Sequence, residues 1–139
     1  MSVEVGRERI REFAEAVSAS EGATSVHPVH RDPAAARALG YPDVIAPPTF
    51  AVVVAQRSDA RLVLDPVAGI VWSRVVHGEQ RFVHHRPIRA GDRLVATTTI
   101  DAARTVAGND LLTARVDLAT EDGEAVCTAT SMLVARGAA

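Results

Sequence analysis

The chain has one cysteine, Cys127, among its 139 residues. An internal disulfide is therefore impossible, and the composition fits a reducing compartment, the cytoplasm. Cys127 sits in an apolar alternating run, where a packed thiol is expected rather than a nucleophile. Aromatic residues make up only 4% of the chain. A core must then be built from Val, Ala, Leu and Ile, which suit a sheet packed closely on a helix. The scarcity also removes the stacking platforms that nucleic acid uses, and no basic run compensates. The formal net charge is −2, so no nucleic-acid partner is expected. No apolar run approaches the ~20 residues that span a bilayer. Met1-Ser2-Val3-Glu4-Val5 has neither the basic nor the apolar region of a secretion signal, and none is expected. His, Cys, Asp and Glu nowhere take metal-ligand spacing. His84 and His85 are adjacent on a strand pattern and face opposite sides, so they cannot share one ion. No metal is expected.

What remains is an ordinary globular composition, 47% hydrophobic and 23% charged. The length predicts one domain over residues 1–139 with a real core. Ile10, Phe13, Ala14 and Val17 recur at helical spacing and predict an amphipathic helix from about Arg7 to Ser18. Val3 to Val5 reads as a short leading strand. Asp32-Pro33 predicts a capped helix start, with a stop at Gly40. Pro47-Pro48 is expected to open another helix. Its run Phe50–Ala55 is apolar on every side, so other structure must wrap it, and polarity returns at Gln56-Arg57-Ser58-Asp59. From Ala68 onward the period shortens to that of strands. Val75–His85, Arg93–Ile100, Leu112–Leu118 and Val126–Val134 read as strands, with a hairpin turn at Glu121-Asp122-Gly123-Glu124. Helices first and strands after argue for an α+β class. The pattern gives about five mostly antiparallel strands around one apolar helix.

Several short motifs narrow this reading. His27-Pro28-Val29-His30-Arg31-Asp32 is similar to the hydratase motif Asp-x-Asn-Pro-(Ile/Val/Leu)-His-x-Asp. A short Ala-rich helix, Gly40-Tyr41 and Ile45-Ala46 follow in the same order. Arg86-Pro87-Ile88-Arg89-Ala90-Gly91-Asp92-Arg93-Leu94 is similar to a strand turn of those enzymes. With Gly40–Phe50 and Val75–Phe82, these stretches resemble the MaoC-like dehydratase family, and within it the actinobacterial N-terminal-type proteins. Those include the A subunit of the heterodimeric (3R)-hydroxyacyl-ACP dehydratase. The resemblance runs from about Val5 to Val134. It implies a hotdog fold, a curved antiparallel sheet around a central helix. It also implies an acyl-CoA or acyl-ACP substrate, no cofactor, and a homodimer or a heterodimer with a catalytic MaoC-like chain.

Dehydration of a 3-hydroxyacyl thioester needs a base for the C2 proton, an acid for the departing hydroxyl, and N–H donors for the thioester oxygen. In catalytic members of the family an Asp and a His on one loop move the protons, and a Gly N–H at the central helix entrance meets the oxygen. His30 holds the His position and is the candidate catalytic residue, in a degenerate site. Five residues back stands Ser25, where the family has Asp, and serine is a poor base unless activated. Glu21 is the nearest upstream carboxylate, His27 replaces the Asn, and Asp32 reads more readily as a helix cap. Pro47-Pro48 replaces His-Gly, and proline has no N–H. Pro48, Thr49 and Phe50 are the candidate substrate-binding residues, the last two with N–H groups in the first helical turn. His77 reads as a packing or interface residue, Trp72 as packing, and Thr97-Thr98-Thr99 as strand propensity.

Three roles follow: a subunit whose partner carries most of the chemistry, a self-contained homodimeric hydratase using His30, or a non-catalytic acyl-thioester binding module. A hotdog thioesterase is disfavoured, because such enzymes use a carboxylate on or near the central helix and Phe50–Ala55 has none.

Overall fold

The computed structural model describes residues 1–19 and 26–137. Their order is β1 (Ser2–Glu4), α1 (Arg7–Ala19), α2 (Pro33–Ala38), α3 (Ala51–Val63), β2 (Val75–His84), β3 (Arg93–Val106), β4 (Asn109–Thr120) and β5 (Ala125–Ala135). The strands form one antiparallel sheet in the order β1-β3-β4-β5-β2. Register shifts at His77/Glu79, Ile100/Ala102 and Leu118/Ala119 mark irregularities that let such a sheet bend. It curves over α3, which packs on β3, β4 and β5. This is the hotdog arrangement.

The sequence pattern explains why the sheet holds the helix. Ala114, Val116 and Leu118 alternate along β4 and are fully buried, while Arg115 and Asp117 turn outward and pair with each other. Val126, Cys127 and Ala129 of β5 and Leu94 and Ala96 of β3 complete the inner face. α1 closes the other side of the core. Its Phe13 meets Phe50 edge-to-face with centroids 5.4 Å apart, and Ile10 is fully buried. Burial of a side chain such as Ile10 or Phe50 stabilises the fold by roughly 1.5–3 kcal/mol.

Four features differ from the sequence reading. The helix begins at Ala51, and Pro47-Pro48 lie in the turn that precedes it. It is also not enclosed all round: Val52 and Val53 are half-buried, and Gln56, Arg57 and Arg61 are exposed. Buried Ala51, Val54, Ala55, Ser58, Asp59 and Val63 form a stripe along it. One sheet covers one side of a helix, so the opposite side stays open in a single chain. β3 continues six residues beyond the expected Ile100, to Val106, because it pairs with β4 along its whole length. Trp72 is 55% exposed, so it does not serve as a core residue of the chain.

Candidate active site

Three segments far apart in sequence meet at the entrance of α3. The Ile45 N–H donates to the Val29 carbonyl (3.1 Å), the Ala46 N–H to the Ile88 carbonyl (2.7 Å) and the Ala90 N–H to the Val44 carbonyl (3.0 Å). Residues 43–46 are thereby held between the loop bearing His30 and the turn that leads to β3. The loop itself is a single helical turn over Pro28–His30. His27 caps it: its Nδ1 accepts from the Val29 N–H at 3.1 Å. That is the task an Asn side chain performs at a cap, and it accounts for His27 in the Asn position. Asp32 caps α2 as expected, accepting from the Ala34 N–H at 2.9 Å. Ser25 and Glu21 lie outside the described residues.

His30 is half-buried, and its Nδ1 stands 2.7 Å from the Ile45 carbonyl oxygen. A carbonyl only accepts, so Nδ1 carries the proton and donates it there. In the neutral ring Nε2 then keeps its lone pair, ready to take a proton. Its ring lies 6.2 Å from that of His27, centroid to centroid.

Donors at the helix entrance are few. Pro47 and Pro48 have no N–H. The Phe50 N–H donates back to the Pro47 carbonyl at 2.9 Å, which corrects the expectation that it is free for a ligand. The Phe50 side chain is buried in the core. Pro48 and Thr49 are exposed, and the Thr49 N–H makes no backbone hydrogen bond among the described residues. His84 fixes this turn from the sheet side, donating from Nε2 to the Pro48 carbonyl at 2.8 Å. The entrance therefore offers one acceptor nitrogen on His30 and, at exposed Thr49, an N–H with no backbone partner among the described residues.

Against known families, residues 1–129 match the model described as FAS1-like, dehydratase domain region. The chain belongs to that family. Its relatives include a UPF0336 protein of Saccharopolyspora erythraea, 57% identical over 136 residues, 98% of this chain and 83% of the relative. A UPF0336 protein of Thermobifida fusca is 46% identical over 134 residues, 96% of this chain and 84% of that one. A solved chain of the HadBC (3R-hydroxyacyl-ACP dehydratase) complex from Mycobacterium tuberculosis is 34% identical with a TM-score of 0.81, covering 96% of this chain and 90% of that one. A MaoC-like dehydratase aligns with a TM-score of 0.85 at 37% identity, over 99% of this chain and 40% of that one.

In this FAS1-like dehydratase domain the Arg86–Asp92 motif is a staple. Arg86 donates from both terminal nitrogens to the two oxygens of Asp92 (2.9 Å each), and from Nε to Glu124 (2.8 Å). Asp92 is buried, and its Oδ2 also accepts the Arg89 N–H at 2.9 Å. These carboxylates hold the Arg86 guanidinium well above its ordinary pKa, and Arg86 holds Glu124 below its own. The motif ties the turn carrying Ile88, and hence residues 43–46, to the β4–β5 hairpin. Its part at the site is positional.

A second polar cluster escaped the sequence reading. Asp59, in the third turn of α3, is only 5% exposed, and its Oδ2 accepts from the Ser131 hydroxyl of β5 at 2.8 Å. Its Oδ1 is buried without a partner among the described residues. Burial raises its carboxyl above the ordinary range, offset in part by the Ser131 bond and by His77. Ser58 pairs with Thr98 across the same layer at 2.5 Å. The central helix does therefore carry a buried carboxylate, although the run Phe50–Ala55 does not. The signal was the stripe Ala51, Val54, Ala55, Ser58, Asp59, which keeps helical spacing through the polar residues. Asp59 lies ten residues beyond Thr49, ~15 Å at the helical rise, too far to serve the same thioester carbon. No cluster of three or more metal-ligating side chains exists among the described residues, and none of their helices is long and apolar enough to cross a membrane.

Proposed function

We propose that the chain is one subunit of a (3R)-hydroxyacyl-thioester dehydratase, equivalently an enoyl-thioester hydratase. It lines the acyl channel, and a second hotdog chain supplies the carboxylate and the oxyanion donors. The helix entrance carries this reading. Two prolines and an engaged Phe50 N–H leave little there to meet a charged thioester oxygen. The outer edge of β2 ends the sheet, and the exposed side of α3 carries half-buried Val52 and Val53. Both are surfaces that a second chain would cover. Family membership and the 34% identity to a chain of a dehydratase complex support the reaction class.

The His30 geometry favours a second reading, a homodimeric hydratase in which Nε2 of His30 is the base. Crotonyl-CoA hydration separates the two. The purified chain alone is expected to be inactive, and activity should appear on adding a MaoC-like partner that carries Asp, His and Gly. That activity should change less than about threefold in His30→Ala, against the 10²–10⁴-fold loss that removal of a general base brings. Activity of the lone chain, abolished by His30→Ala, sinks the subunit reading. Acyl-CoA binding with no activity in either setting makes the chain a binding module instead.

A further inference from the structure

The sheet has two ends. His84 of β2, bonded to Pro48, and the β4–β5 hairpin mark the end beside the helix entrance. At the other end Val75, Ala135, Asp110 and Thr105 lie side by side in the register. The ten residues of β2 separate the two by ~30 Å. Residues 61–74, 104–110 and 135–137 gather at that far end. Ala68, Val71, Arg74 and Arg136 line one hollow there, and Ala68, Ile70 and Arg104 line the next. The charged residues of these stretches are Arg61, Arg74, Arg104 and Arg136 against Asp65 and Asp110. This end is thus net positive on a chain of net charge −2, whereas residues 121–124 at the opposite end carry three acids and no base. None of the four arginines pairs with a carboxylate among the described residues.

The same stretches hold five of the ten exposed large hydrophobics, Leu64, Val67, Val71, Trp72 and Val106. Apolar side chains gathered among free cations suit the boundary between lipid headgroups and acyl chains. Val67 is 93% exposed and stands on a short helical turn, Pro66–Ala68. The Val67 N–H donates to Asp65 Oδ1 at 2.9 Å, the Ala68 N–H to the Asp65 carbonyl at 3.0 Å and the Gly69 N–H to the Pro66 carbonyl at 3.4 Å. Pro66 has no N–H. Every N–H of this tip is therefore satisfied within the turn, so it can leave water without the cost of a bare donor. A protein partner can pair free N–H groups at an interface and hydrocarbon cannot; this tip has none to pair.

We propose that this end docks the chain on an anionic lipid surface, with Val67 and its apolar neighbours in the headgroup–acyl boundary and the four arginines on lipid phosphates. The helix entrance lies at the opposite end of β2, and the inference does not rest on the acyl-thioester reading.

Trp72 is the single tryptophan of the chain and belongs to this face, so its emission reports contact. The full chain is titrated with vesicles of phosphatidylcholine alone and with vesicles containing about a quarter phosphatidylglycerol. The anionic vesicles should shift Trp72 emission to the blue and bind at least about tenfold more tightly, a difference lost at about 1 M salt. Arg74→Gln/Arg136→Gln should weaken that binding roughly 25-fold, at about fivefold for each arginine. Val67→Ser should weaken it about tenfold. These positions are exposed, so the variants should fold as wild type does, with circular dichroism as the check. No binding to anionic vesicles overturns the inference, and so does binding that neither variant weakens. A wild-type dimer in sedimentation that Val67→Ser dissociates also overturns it, by assigning this face to a second chain.

Discussion

Asp92→Ala removes the anchor of the turn that frames the candidate site. The carboxylate is 6% exposed and receives three charge-assisted bonds, two from Arg86 and one from the Arg89 N–H. Truncation leaves Arg86, whose side chain is 15% exposed, with the more exposed Glu124 as its remaining carboxylate partner. Breaking a buried pair from one side costs about 3–5 kcal/mol, because one charge stays buried without compensation. At roughly 3–4 °C per kcal/mol for a chain of this size, the melting temperature should fall by about 10–20 °C. Thermal and urea melts at one fixed protein concentration measure it, with the urea slope unchanged if two-state behaviour holds. The double variant Arg86→Met/Asp92→Leu removes both charges and should recover at least half of the loss. A loss under about 1 kcal/mol for Asp92→Ala refutes the reasoning. So does a double variant as unstable as the sum of the two single ones.

Three further outcomes follow from the structure. Burial holds the Asp59 carboxyl above its ordinary range, so the folded chain keeps a proton that the unfolded chain has already released. Stability then falls as pH rises through the window above the ordinary carboxylate value, and Asp59→Asn should flatten that slope in urea melts between about pH 4 and about pH 7. An equal slope in both proteins contradicts it. The Cys127 thiol is 1% exposed and pushed up to about 11 by burial. Iodoacetamide at about pH 8 should label it only after denaturation; rapid labelling of native protein would show that β5 opens. Asp32→Ala loses the cap of α2 and should lower stability by about 1 kcal/mol in the same melts.

The sheet was legible because its signal is local. Alternation at Ala114, Val116 and Leu118 reports a face that one residue at a time either buries or exposes. The Asp32 cap was legible for the same reason, since its partner is two residues away. Arg86 was visible as part of a motif, but its bond to Glu124 spans 38 residues and depends on how the hairpin folds back. The Asp59–Ser131 pair spans 72 residues. Its helix begins with five apolar residues in a row, which hide the stripe that the later polar members continue. His30 was found through resemblance; that its Nδ1 is engaged by Ile45 depends on a loop-to-loop contact that spacing does not encode. The prolines announced a missing N–H, but not that Phe50 turns its own toward Pro47.

The strand order also sets when the protein can fold. β2 has no partner until β5 exists, since Val75 pairs with Ala135 and His84 with Cys127. β1 waits for β3, across some ninety residues from Ser2 to Val95. On the ribosome the apolar segment Phe50–Ala55 therefore emerges well before the strands that cover it. Closing such distant pairs is slow, and a nascent chain in that state is open to aggregation. Synthesis thus leaves a period in which the segment destined for the core is bare, and a co-translationally bound chaperone or partner chain would act in that interval.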